Sequence, residues 1–117
     1  MRRIGAVILL ACLAPSVGCG AKDTGAASGA AIYRTQACAT CHGDDGAGTP
    51  FGPSLQGKKG FWTRAALVAY LKNPIAYAEK DPRLAAQARK FTLPMQRFDQ
   101  LSESDLEAVA DHVLAMP

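Results

Sequence analysis

Helical spacing recurs in three stretches of this chain. Gly29, Ile32, Tyr33, Gln36 and Ala37 follow one another at steps of three and four, sharing one face of a helix. Ser28 stands before them as a capping residue, so a helix is predicted from there to about Ala37. Leu67, Val68 and Leu71 make the second face, opened by Thr63 and closed at Asn73-Pro74, where the proline drives its neighbour out of helical geometry. Leu106, Val109, Ala110, Val113 and Leu114 make the third. Ser102-Glu103-Ser104-Asp105 opens it, with acids where the helix dipole favours them. Asp81-Pro82 predicts a further short helix, since proline suits a first turn. Residues 43–60 break every period, holding six of the eleven glycines with two prolines and two aspartates. They read as one long loop, and a loop of that length is uncommon unless it wraps something. Nothing alternates like a strand and no repeat is visible, so the class is all-α.

The amino terminus follows a different rule. Arg2 and Arg3 precede the apolar run Ile4–Ala11, which is too short to cross a bilayer as a stable helix. A basic segment followed by a short apolar one is an export signal. Ser16-Val17-Gly18-Cys19 then places small residues before a cysteine, which resembles a bacterial lipoprotein signal with Cys19 as the acylated residue. Ordinary cleavage and an uncleaved anchor are the alternatives. The chain is read as signal peptide over 1–18, flexible tether over 19–28 and a single domain over 29–117. The domain is expected outside the cytoplasm, in the periplasm and tethered to a membrane.

Composition adds a problem. Hydrophobic residues make up 49% of the 117, but 22 of them are alanine. Several of the larger ones belong to the export signal, which leaves residues 19–117 short of bulky side chains. A core that thin is marginal by itself. Something other than side chains must complete it.

Cys38-Ala39-Thr40-Cys41-His42 supplies the candidate. A thioredoxin-like dithiol should sit at a strand-to-helix turn, and no strand is predicted. A structural zinc site needs about four ligands, and beyond these three only His112 is available. The remaining reading is covalent haem attachment, with both thiols as thioethers and the adjacent imidazole on the iron. A haem would also fill the missing core.

Around that motif, residues 29–116 resemble a class I cytochrome c, a small helical domain wrapped around one covalent haem c. Gly52-Pro53-Ser54-Leu55 is similar to the family's Gly-Pro-x-Leu segment, which implies that the Pro53 carbonyl orients His42. Trp62, Leu67 and Tyr70-Leu71-Lys72-Asn73-Pro74-Ile75-Ala76-Tyr77 match the mitochondrial-type pattern at the same spacing. That implies contact of Trp62 with a haem propionate, and Tyr70 near the axial methionine. Met95, in the extended Thr92-Leu93-Pro94-Met95 before the final helix, stands where the family keeps that ligand. Gap-filling in the core is the other use of such a methionine. Of the other candidates, Met116 is penultimate and expected to fray, and His112 is expected to pack where relatives have an aromatic. The chain departs from the pattern over Ala78–Phe91, an insertion expected to form the third helix and to alter the methionine side.

Charge is unevenly spread. Residues 20–57 carry net −1, residues 58–97 net +7 and residues 98–117 net −5. The asymmetry fits an encounter with an acidic redox partner protein, and a solvated surface with local pairing fits it equally. Nucleic acid is excluded by compartment and by the small net charge. The expected function is transfer of single electrons on a haem with His42 and Met95 as iron ligands, without enzymatic activity. The alternative is a peroxidase-like haem enzyme or sensor with an open or labile distal site.

Overall fold

The computed structural model describes residues 27–117. The segment read as a signal peptide, Cys19 as the candidate acylation site and all but the end of the expected tether lie outside them. Six α-helices and one 3-10 turn are the helical elements of the described residues, with no strand among them: α1 Gly29–Thr35, α2 Cys38–His42, α3 Arg64–Lys72, α4 Pro74–Glu79, α5 Pro82–Ala88 and α6 Glu103–Leu114. The 3-10 turn, Lys58–Gly60, and an isolated bridge between Thr49 and Gly52 are the regular features of the long loop.

The predicted capping residues cap. Ser28 Oγ accepts from the Ala31 N–H at 3.2 Å, Thr63 Oγ1 from Ala66 at 3.1 Å and Ser102 Oγ from Asp105 at 3.1 Å. Each satisfies a donor that the first helical turn leaves without a partner. Asp81 does the same for α5, accepting from the Arg83 N–H at 3.0 Å.

Two boundaries differ from the sequence reading. α1 stops at Thr35, and Ala37 takes a left-handed conformation with φ +58°. That turn redirects the chain so that α2 starts on a new axis. Asn73 does end α3, but its side chain also accepts from the Ala76 N–H at 3.3 Å and opens α4 with Pro74 in the first turn. One residue closes a helix and starts another, which the rule for residues before proline does not foresee.

α1 and α3 both pack on α6. Ile32 and Tyr33 from α1, Leu67, Val68 and Leu71 from α3, and Leu106, Val109, Ala110 and Val113 from α6 form one buried cluster with Phe98 and Met116. Gly29 permits the crossing of α1 over α6, because a Cβ there would run into the Ala108 carbonyl and lie 2.7 Å from His112 Cβ. The His112 ring meets Tyr33 edge-on, with centroids 5.4 Å apart, and so takes the packing role expected of it. Met116 does not fray. It is 9% exposed and belongs to the core, because the turn after α6 folds it back under the long loop.

Ion pairs reshape the charge pattern. Arg64 meets Asp111 and Lys72 meets Glu103 across the α3–α6 contact, and Arg97 meets Asp99. Basic side chains of the middle segment are thus locally neutralised by the acidic tail. Exposed pairs of this kind contribute little to stability and are screened by salt. α4 and α5 are built differently from the rest: Pro74 is the only buried residue of α4, and α5 has none.

Candidate functional site

α2 is a helix of five residues, so Cys38 and Cys41 stand one turn apart on a common face with His42 directly after them. Both cysteines are free and half-buried. Burial pushes the Cys38 thiol up, the nearby Cys41 adds to this, and a backbone hydrogen bond at Cys38 opposes it. A reactive dithiol needs the opposite shift. His112, the one further zinc ligand available, is engaged in packing against Tyr33.

The long loop folds back on α2. The Gly48 N–H donates to the His42 carbonyl at 2.7 Å, and Thr49 Oγ1 donates to the Cys41 carbonyl at 2.6 Å. Gly52 lies so close that a Cβ would come within 2.8 Å of that same carbonyl. This approach brings Pro53 alongside His42, whose Nδ1 is 2.8 Å from the Pro53 oxygen. A carbonyl can only accept, so the proton is on Nδ1 and the lone pair of the neutral ring is on Nε2. The imidazole is 6% exposed. It is held in the tautomer and orientation of a metal ligand.

Beside α2 lies a cavity of about 900 Å³. Cys38, Cys41, His42, Pro53, Trp62, Tyr70 and Met95 all line it, although they come from α2, the long loop, α3 and the segment before α6. Neither Met116 nor His112 does. Met95 is half-buried on an extended stretch, and Phe98 fixes that stretch. Phe98 is 3% exposed and its N–H donates to the Leu71 carbonyl at 2.9 Å. Trp62 and Tyr70 pack edge to face at 5.3 Å, and Tyr77 closes the aromatic trio at 5.9 and 5.8 Å. Burial raises the pKa of the Tyr70 hydroxyl.

The insertion forms the far wall. Leu84, Ala88 and Phe91 line the cavity at steps of four and three, a helical period. A flat, largely apolar macrocycle with two carboxylates fits this space. Its lining is mostly hydrophobic, two thiols stand a turn apart at one edge, and a nitrogen lone pair and a thioether line the same space.

The comparison with protein families agrees. Residues 26–117 match the family model described as Cytochrome c. No curated protein and no solved structure matches the chain significantly. With the family match covering the whole described domain, the chain belongs to the cytochrome c family, electron-transfer proteins that carry a covalently bound haem c and its iron.

Proposed function

We propose that this cytochrome would hold its haem through thioethers at Cys38 and Cys41, and the haem iron through His42 Nε2 and Met95 Sδ. The bound iron supplies a one-electron couple. Pro53 holds the imidazole by its Nδ1–H. The indole N–H of Trp62 has no protein hydrogen-bond partner among the described residues, which leaves it free for a propionate. Two protein ligands leave no position for peroxide or dioxygen, so the protein is an electron carrier and not an enzyme. Methionine as the second ligand raises the potential relative to two histidines. The observation that carries this reading is the convergence of seven side chains from separate parts of the chain on one cavity, with His42 already in the ligand tautomer.

The partner docks at the mouth of that cavity. Phe51, Phe61, Ile75 and Leu93, the large apolar side chains most exposed to solvent, all line it, and so does Lys58. An apolar centre beside basic charge suits a redox protein with a complementary acidic fringe. The domain is exported, and a lipid on Cys19 tethers it to a membrane surface.

Expression with haem-maturation machinery tests the reading. Haem should stay attached under denaturing conditions, with a c-type visible spectrum and no binding of carbon monoxide by the ferrous form. Ready carbon monoxide binding would favour the open-site enzyme or sensor. Mass spectrometry of membrane fractions, with Cys19→Ser as the comparison, should find a lipid that the variant lacks.

A further inference from the structure

The buried penultimate methionine, Met116, has a use that neither ligation nor ordinary core packing accounts for. A Cβ built on Gly46 would overlap Met116 Sδ and lie 3.3 Å from its Cε, so Met116 seats directly on the backbone of the long loop at Gly46. Gly46 is the residue from which the far side of that loop hangs. Its carbonyl accepts from the Leu55 N–H at 2.7 Å and from Ser54 Oγ at 3.2 Å. Ser54 and Leu55 directly follow Pro53, whose carbonyl accepts from His42. The Met116 carbonyl also lies 3.5 Å from the Gly57 N–H at the end of the same loop.

We infer that Met116 is a positioning residue for His42. It acts through Gly46 and the 53–55 segment as a clamp that fixes the loop bearing the Pro53 carbonyl. Its side chain is held by the turn after α6, where its N–H donates to the Val113 carbonyl at 3.1 Å. The end of α6 is therefore mechanically connected to the orientation of the imidazole, although Met116 does not reach the cavity. The effect depends on shape and not on sulfur chemistry, since the contact is one of packing.

The inference rests on the reading of His42 as the haem ligand, and the test separates the two. In reduced holoprotein the exchange rate of the His42 Nδ1 proton is measured by NMR against that of the Leu106 amide in the core. Met116→Ala should speed the first about tenfold relative to the second, a ratio that corresponds to about 1.4 kcal/mol of local loosening. Met116→Leu should restore it to near the native value. Val68→Ala, which thins the core on α3 away from both the cavity and Gly46, should leave the ratio unchanged. If Met116→Ala yields no holoprotein, Met116→Val removes less of the side chain and reads the same ratio. An unchanged ratio in the Met116 variants, or failure of leucine to rescue, overturns the clamp. Failure of the native protein to retain haem through Cys38 and Cys41 would overturn the ligand reading instead.

Discussion

The two halves of the domain are held together by different things. On the α1–α3–α6 side, side chains meet side chains: Leu106 is 1% exposed and Ala110 fully buried, and Gly29 lets two helices approach to backbone contact. On the α4–α5 side, two helices bury almost nothing and face a cavity of about 900 Å³. Large-to-small substitutions show that even modest voids are costly in a packed interior. The second half therefore draws its stability from the macrocycle, and the first half from packing. A chain this poor in large apolar residues can afford one packed half, and the cofactor completes the other.

That contrast is sharpest when the cofactor is taken away. Replacing both Cys38 and Cys41 with alanine should abolish covalent haem, and hydrogen exchange should then find α4 and α5 without protection. Whatever protection survives should sit in α1 and α6. Protected α5 amides would break the comparison. Within the packed half, Leu106→Ala should cost holoprotein about 2–5 kcal/mol in denaturant unfolding, the range for a buried leucine.

A smaller effect reports on the seam between the halves. Tyr33 donates to the Gly43 carbonyl at 2.7 Å and ties α1 to the turn after α2. Its hydroxyl is pushed up from 10.0 to about 12, chiefly by burial, then by Cys38 while its thiol is free, and by Asp44 and Asp45. Raised affinity for the proton means that the contribution of neutral Tyr33 to stability is complete below pH 10. It is lost as the pH climbs towards 12. Ultraviolet titration should show Tyr33 ionising late, as the half-buried Tyr70 also does, and Tyr33→Phe should remove its share of the late step. The smallest effect is expected at the surface. Lys72→Met should cost no more than about 1 kcal/mol, less at high salt, because its pair with Glu103 is exposed.

The packed half was nearly legible in the sequence, since helical period and capping residues act locally. Ser28, Thr63 and Ser102 cap where they were expected to. The motif at Cys38–His42 was legible for the same reason: one helical turn places both thiols and the ring. What lay beyond reach depends on contacts distant in sequence. Met116 was expected to fray, because nothing near it indicates that Gly46 awaits it. α4 was hidden by Asn73, whose backbone ends one helix while its side chain starts the next. The wall formed by α5 was foreseen as an insertion, but its cavity-facing residues have no partner side chains to reveal them. The charge pattern suggested segregated charge, and pairing of Arg64 with Asp111 and Lys72 with Glu103 neutralises part of it locally.

The central claim is that His42 and Met95 share one iron. Near-infrared absorption of the ferric holoprotein tests it most directly, comparing the native chain with Met95→Ala. The account predicts the band of methionine ligation in the native protein and its loss in the variant, with haem still attached. A band that persists unchanged in Met95→Ala would contradict it.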